Sequence, residues 1–501
     1  MQLLLLLAVF VIATCGLIYE LVAGTLASYL LGDSVTQFSF IIGVYLFSMG
    51  VGSFLSKYLN RNLLKWFVQI ELLVGFIGGF SAPLLFVLFP LVSSFKIVLY
   101  TLVFFTGVLV GLEIPLLMRI LKDSVSFKDL VSRVFTFDYI GALLASLIFP
   151  LILIPYLGLI RTSLFFGILN IGVGLMLTFK FEKELKPVRY IRGIAILLII
   201  AQVAAFVYSE RIQHYSETVA FNDNVIYAVS SPYQRIVITK NKRELRLFLN
   251  GNLQFSSADE YRYHEALVHP GLQSVSNPRH VLVLGGGDGL AVREILKYPS
   301  VTSVTLVDLD PEMTKMFTGN EMLMKINHHS LLDKKVKVIN ADAFIWLKNN
   351  QQQFDFIVVD FPDPSNFSIG KLYSNTFYRL LWQAVTPGGI AVIQSTSPYV
   401  APKSFWCVNI TLQSVGFYTV PYHNLVPSFG EWGYILAMKD STYQVPVQYP
   451  QGLRYVNEAT VKQMILFPED MKTSARLLVN RLNNQALVSY FEEEWNNYLQ
   501  Q

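Results

Sequence analysis

Apolar residues are distributed in two different ways along this chain. Up to about position 209 they form long, nearly unbroken runs: Leu3 to Ile18, Phe38 to Phe54, Phe67 to Phe89, Ile97 to Leu117, Ile140 to Leu157, Ser163 to Phe179 and Ile194 to Tyr208. Each is close to the roughly 20 residues that cross a bilayer as a helix. From Ser209 onward charge returns, the runs shorten, and Gly and Pro separate them. The pattern predicts a multi-span α-helical membrane bundle over 1–209, with about seven spans. A small β unit over 210–257, an α/β domain over 258–442, and a Pro-rich linker with a helical tail over 443–501 follow.

Within the second part, Asn224 to Gln254 alternates apolar and polar residues around turns at Ser230 to Pro232 and Asn250-Gly251, the mark of antiparallel strands. Ala258 to Leu272 has helical spacing and places Tyr261, His264 and Glu265 within one turn. Val281 to Leu284 reads as a buried strand, followed by Gly285, Gly286, Gly287 and Gly289 before a helix near Leu290. Further strands end in acids: Val301 to Val307 in Asp308, Val336 to Ile339 just before Ala341-Asp342, and Phe354 onward in Asp360 and Asp363. Ile390 to Ser395 adds another strand, and GFYTVPYHN and WGYILAMK a final antiparallel pair. This order predicts a doubly wound, methyltransferase-like Rossmann sheet.

The glycine turn suits close approach to a nucleoside, and Asp308, about twenty residues on, suits the two hydroxyls of a ribose. Ligands of such sheets lie beyond the carboxyl ends of the strands, so Asp342 is placed to accept from an adenine amine. Asp288, Asp308, Asp342, Asp360 and Asp363 on one rim favour a cationic ligand over a phosphate. The turn lacks a phosphate-binding lysine, and no His or Cys cluster has metal-ligand spacing. His264 alone reads as a structural histidine at least as readily as a site wall.

The net charge of +4 gives no case for nucleic acid, and two cysteines cannot build a framework of bridges. The first apolar run has no basic flank, which predicts a retained helix rather than a removed signal. Basic residues cluster after every second run: Lys57, Arg61 and Lys65; Arg119, Lys122, Lys128 and Arg133; Lys180, Lys183, Lys186, Arg189 and Arg192. The positive-inside rule puts all three loops in the cytoplasm, and seven crossings then leave the second part outside. Glu20, Glu71, Glu113 and Asp138 lie in or beside the spans. Two readings stay open for them: pairing with Arg119, Arg133 or backbone donors to staple the bundle, or lining a cation path or cation-sensing cavity.

From Tyr227 to Lys439 the chain resembles the polyamine aminopropyltransferases, spermidine synthase most closely. The resemblance is carried by SPYQ with Gln234, NGNLQ, DEYRYHEALVHP, GGGDGLAVRE, VDLD, NADA, VVDFPDP with KLYSNTFY, and PSFGEWGY. The membrane half resembles an extension found in a bacterial subset of that family. The resemblance implies aminopropyl transfer from decarboxylated S-adenosylmethionine, a co-substrate rather than a tightly bound cofactor, to putrescine or a related amine. Matched by motif, Gln234, Gly285, Gly287, Asp308, Asp342 and Ala343 would hold the nucleoside. Tyr263, His264, Asp288 and Asp363 would contact the amine, and Asp360 would accept its proton. No metal is implied, and a homodimer is left open. Because the donor is made in the cytoplasm, the catalytic domain is expected there, against the span parity.

Three departures bear on amine choice. Asp308 stands where the family usually has Glu; Phe361-Pro362 replaces a Ser-Ser or Ser-Thr pair, with Asn366 to Ser368 where a Pro is usual; and PSFGEWGY lacks a tyrosine for which Phe429 or Trp432 is a substitute. Two other functions fit the same fold: methyl transfer from S-adenosylmethionine, which would not need Asp288, Asp360 and Asp363 together, and a polyamine transporter or sensor with a binding-only domain. In the tail, Glu492 to Glu494 read as a solvated face.

Overall fold

The computed structural model describes residues 2–31, 34–92, 94–122, 126–221, 223–242, 244–440 and 443–499. The chain divides into two compact units, Met1–Pro232 and Tyr233–Gln501.

The first unit is helical: α1 (Gln2–Leu31), α2 (Ser34–Leu55), α3 (Leu63–Leu88), α4 (Phe95–Leu121), α5 (Phe127–Ile148), α6 (Ile154–Lys180), α7 (Val188–Val207) and α8 (Ser209–Phe221), followed by strand β1 (Asn224–Ser230). Helix α1 packs against α2, α5 and α6, α2 against α4, and α3 against both α4 and α6. Glycine makes the closest of these approaches possible: a Cβ on Gly52 would stand 2.0 Å from the Val108 oxygen, and one on Gly111 2.1 Å from the Met49 oxygen.

Among the described residues of this unit, six helical runs are long and apolar enough to cross a membrane. The fifth, Lys128–Lys180, has 53 residues and joins α5 to α6 through a π turn at Phe149–Leu153. A straight helix of that length would extend ~80 Å, far beyond the ~30 Å hydrocarbon core. It is not straight, because Gly158 leaves the helical region with φ 70° and ψ 178°. The predicted segments Ile140 to Leu157 and Ser163 to Phe179 lie on either side of that break. Residues 210–221, expected to open the small β unit, belong instead to the helix α8.

The second unit begins with an antiparallel arrangement of β2 (Arg235–Lys240), β3 (Leu245–Leu249) and β4 (Asn252–Ser256). The predicted Asn250-Gly251 turn joins β3 to β4 with both residues at positive φ, 49° and 82°. After α9 (Glu260–Leu272) comes the main sheet, built from β5 (His280–Gly285), β6 (Ser303–Asp308), β7 (Val336–Asn340), β8 (Phe354–Asp360), β9 (Val385–Gln394), β10 (Tyr418–Val426) and β11 (Gly430–Met438). Its spatial order is β10-β11-β9-β8-β5-β6-β7. Strands β5 to β9 run parallel, and β10 and β11 form the predicted antiparallel edge. The helices between them are α10 (Leu290–Ile295), α11 (Pro311–Gly319), α12 (Glu321–Ile326), α13 (Ala343–Asn349), α14 (Phe367–Gly370), α15 (Asn375–Ala384) and α16 (Pro402–Gln413).

Val281 to Leu284 and Phe356 to Val359 are fully buried, as expected for strands covered on both faces. The strand order reverses at β5, so the carboxyl ends of β5 and β8 flank the switch point where such sheets bind ligands.

The tail packs within this unit. Its helices are α17 (Glu458–Met464) and α18 (Ala486–Leu499), and α18 lies on α16. Glu494 is not part of a solvated face: its carboxylate accepts from the Lys403 and Ser404 backbone N–H at 2.8 and 3.0 Å and so caps α16.

Candidate active site

Register brings the acids together. Gly285 on β5 is the cross-strand partner of Asp360 on β8, and Asp308 on β6 pairs with Asn340 on β7. The glycine turn then folds over this rim. Gly285 has φ 83°, and a Cβ there would lie 2.2 Å from the Asp360 backbone oxygen. A Cβ on Gly287 would collide with the Asp308 carboxylate at 2.7 Å, and the Gly287 N–H donates to Asp308 Oδ2 at 3.0 Å. Only glycine permits both approaches.

Asp360 is the centre of the site. Its Oδ1 accepts from the Tyr263 hydroxyl at 2.5 Å, while its Oδ2 faces the turn, 3.3 Å from where a Cβ on Gly286 would stand. Burial pushes its carboxyl up to about 6; the nearby His264 opposes the rise, Asp288 adds to it, and the Tyr263 hydrogen bond opposes it. Burial also raises Asp288, whose Oδ1 accepts from the Leu290 N–H at 2.9 Å. Asp363 is likewise pushed up to about 6 by burial, against the hydrogen bond from Gln394 Nε2 at 3.2 Å. Asp288 is buried and Asp360 and Asp363 are half-buried, and carboxyl groups so placed are expensive as anions and become cheap when a cation arrives.

His264, 2% exposed, holds its place through Nδ1, which donates to Glu260 Oε2 at 2.9 Å. Burial alone would lower its pKa, but the Glu260 carboxylate, with Asp288 and Asp360, holds it above the ordinary value. Behind it Arg293 makes a two-pronged bridge to Glu260, Nη1 to Oε1 and Nη2 to Oε2, both at 2.9 Å. Burial works against the Glu260 anion, yet His264 and Arg293 together bring it down to about 2. This chain fixes the imidazole from outside the rim.

On the other side of the switch point, Asp308 Oδ1 accepts from the Asp310 N–H at 2.9 Å. Burial pushes Asp308 up to about 6 despite that bond and the one from Gly287. Gln234 Nε2 donates to Asp310 Oδ2 at 2.9 Å, which ties the start of the second unit to the nucleoside side of the rim. Asp342 caps α13 through the Phe344 N–H at 2.8 Å, and its Oδ2 accepts from Lys371 Nζ at 2.8 Å. Burial would raise it; the Lys371 ammonium and the cap hold it below the usual range. Ala343 is the first residue of that helix.

Residues 260–448 match the family described as Spermine/spermidine synthase domain. Over 504 aligned residues the chain is 56% identical to polyamine aminopropyltransferase 2 of Ralstonia nicotianae, covering 99% of each. It is 51% identical to the polyamine aminopropyltransferase of Leptospira interrogans over the full length of both. The chain belongs to the polyamine aminopropyltransferase family. Among solved structures, a spermidine synthase in complex with the transition state analogue AdoDATO matches at 26% identity and a TM-score of 0.46, covering 49% of this chain and 85% of that one.

In this aminopropyltransferase the structure gathers Tyr263, His264, Asp288, Asp360 and Asp363 around one switch point, with Gly285, Gly287 and Asp308 beside them. The predicted trio on α9 divides. Tyr261 and Glu265 share a helical turn with His264 but serve the tail: the Arg454 guanidinium lies 3.5 Å from the Tyr261 ring centre, and Glu265 accepts from the Arg454, Tyr455 and Val456 N–H groups. A helix points neighbouring residues in different directions, and only Tyr263 and His264 face the acids.

Several residues escaped the sequence reading. Gln394 Nε2 donates to the Phe361 oxygen at 2.7 Å, and Tyr373 donates to the Phe361 and Pro362 oxygens at 3.2 Å, so both fix the loop that carries Asp363. They act on backbone oxygens, which leave no mark in sequence; the KLYSNTFY block was the one available signal for Tyr373. Asp310 and the Glu260-Arg293 pair were visible as charges without a stated partner. Of the two aromatic substitutes in the late block, Phe429 packs on Tyr263 at 6.0 Å between ring centres, and Trp432 packs on Phe429 at 5.2 Å. Asn366, where the family usually has Pro nearby, caps α14 by accepting from the Ile369 N–H at 3.0 Å.

Proposed function

We infer that this enzyme transfers the aminopropyl group of decarboxylated S-adenosylmethionine to a primary amine of putrescine or a related amine, giving spermidine and methylthioadenosine. The observation that carries this reading is the placement of Asp360: half-buried, pushed up to about 6, and shared between Tyr263 and the glycine turn.

The chemistry follows from that placement. An alkylammonium has no free electron pair, so a base must take its proton as nitrogen approaches carbon. A carboxylate whose pKa has risen toward neutrality is a better base than an ordinary one and is still ionised above pH 6. Asp360 accepts the proton, nitrogen bonds to the propyl carbon, and the carbon–sulfur bond breaks with its electron pair going to sulfur. The sulfonium becomes a neutral thioether, so no acid is needed on the leaving side. Asp288 and Asp363 bind the ammonium groups, His264 fixes that wall, and alignment of nitrogen, carbon and sulfur supplies much of the remaining acceleration.

The donor lies over Gly285 and Gly287 with its ribose on Asp308, whose two oxygens keep lone pairs beyond the Gly287 and Asp310 bonds. Asp342 and Ala343 bound the base, and Gln234 closes the ribose side through Asp310. Gain of methylthioadenosine and spermidine when purified protein receives both substrates tests the reading; transfer of a methyl group instead would replace it.

We further place the helical unit in the cell membrane as a multi-pass bundle. Support comes from its six apolar runs and from large side chains left on its outer face, such as Phe47, Ile97, Leu151 and Leu197, each at least 65% exposed. The catalytic unit is assigned to the cytoplasmic side, where its donor is made, which requires an even number of crossings. A reporter fused at Tyr215 tests this: cytoplasmic signal supports it and external signal overturns it.

A further inference from the structure

The helical unit contains a cavity of about 170 Å³ bounded by α1, α2, α3, α4 and α5. One water needs only ~10–15 Å³ measured in this way, so the space admits a ligand of several heavy atoms. Its walls are largely apolar, with Ile12, Leu17, Val110 and Ile114 among them, and three carboxyl groups from three helices reach it: Glu20 from α1, Glu113 from α4 and Asp138 from α5. No lysine, arginine or histidine lines it.

The acids are not explained by pairing within the bundle. Among the described residues none of the three has a salt-bridge partner, and Arg119, a candidate staple, donates instead to the Ser56 oxygen at 2.9 Å and to Asn60 Oδ1 at 3.2 Å. Glu113 is 2% exposed, and its Oε1 accepts no hydrogen bond. Glu71 does not line the cavity; its Oε2 accepts from Asn170 Nδ2 at 2.9 Å, while its Oε1, like that of Glu113, accepts no hydrogen bond. A buried, unpartnered acid oxygen carries the full cost of lost hydration, a cost that persists unless a donor or cation completes the site.

The arrangement discriminates between cations. The described residues contain no group of three His, Cys, Asp or Glu able to converge on a metal ion. The acids stand apart around an apolar space, and Tyr45, also on the wall, spends its hydroxyl proton on the Gly16 oxygen at 2.8 Å and so offers only acceptor capacity. Separated acceptors joined by apolar walls match a hydrocarbon chain with ammonium groups along it. We propose that this cavity is a second amine site, distinct from the catalytic one, that binds an aliphatic di- or polyamine. The assignment stands on the cavity alone and does not require the catalytic reading.

Equilibrium binding of labelled spermidine to the full chain in detergent or nanodiscs tests this. Two molecules per chain are expected for the wild type, and one for Glu113→Gln. Ala142→Phe, which fills the wall without touching a charge, is also expected to bind one. The second class should be displaced by putrescine and resist millimolar sodium or magnesium. A wild-type count no higher than that of the two variants, or displacement by the inorganic ions in place of putrescine, would overturn the proposal. Turnover, measured on the same samples, reports separately on the catalytic unit.

Discussion

The Tyr263 hydroxyl donates to Asp360 Oδ1 at 2.5 Å, joining a helix before the sheet to the end of a central strand 97 residues later. That bond orients the carboxylate and leaves Oδ2 for substrate. It also favours the anion, so removing it has two separable effects. Tyr263→Phe is expected to lower kcat by about 10-fold or more and to move the acid limb of the pH–rate profile upward. A lower kcat with an unmoved limb would show that the ring merely packs.

The pH dependence of stability has a definite sign. Asp308, Asp360 and Asp363 stand at about 6 in the folded chain, against 3.8 for an ordinary aspartate. The folded state therefore keeps protons that the unfolded state releases, and stability falls as the pH rises from about 4 through 6. His264 acts in the same direction, because its raised pKa gives stability that is present below 6.5 and lost above its folded value. Glu260, brought down to about 2, gives stability that is lost only as the pH falls below about 4.5. At ~1.36 kcal/mol per pKa unit, each raised carboxyl contributes on the order of 2–3 kcal/mol. Tm of the unliganded protein should fall between pH 5 and 7, and putrescine should restore more of it at pH 7 than at pH 5. A Tm that rises over that interval would contradict the burial of these acids.

Much of this was legible in the chain. A buried strand cannot end in an acid without placing it at the rim, so Asp308, Asp360 and Asp363 could be located from apolar runs alone. The Asn250-Gly251 turn and the antiparallel edge were equally plain, because turn chemistry and strand alternation are local. What stayed hidden depends on contacts far apart in sequence. Glu265 and Glu494 looked like site and surface residues, yet each satisfies backbone N–H groups 90 to 191 positions away. Lys371 gave no sign that it would face Asp342, and Gln394 and Tyr373 work on carbonyl oxygens that every residue possesses.

Glu260 lies between His264 and Arg293, all three buried. Glu260→Gln removes one of the two carboxylates on the guanidinium, leaving the Glu294 bridge at 2.9 Å, and takes from His264 the charge that holds its pKa up. The expected cost is about 1.5–3 kcal/mol of stability, with a weaker grip on the amine shown as a raised amine KM and an unchanged donor KM. A stability change below ~1 kcal/mol in urea unfolding would contradict this.

Gly285→Ala should fail for a backbone reason. The added Cβ meets the Asp360 oxygen at 2.2 Å, at a φ of 83° that alanine resists. A loss of about 1–3 kcal/mol and at least ~10-fold in turnover is expected. Gly319→Ala, with nothing within 4 Å of the new atom, is the neutral control.

Asp342 meets Lys371 at the outer edge of the rim, away from the amine acids. Asp342→Asn is expected to raise KM for the sulfonium nucleoside while leaving that for putrescine within about 2-fold, as loss of a contact made equally in ground and transition states requires. Equal rises in both constants would remove Asp342 from the nucleoside side.

The central claim is that Asp360 takes the proton of the attacking amine. Wild-type protein and Asp360→Asn, each given decarboxylated S-adenosylmethionine and putrescine, can be compared by the initial rate of methylthioadenosine release, with nucleoside binding measured in parallel. The account predicts that the variant binds the nucleoside as the wild type does and releases the product at least ~10²-fold more slowly. Equal rates of release from the two proteins would contradict it.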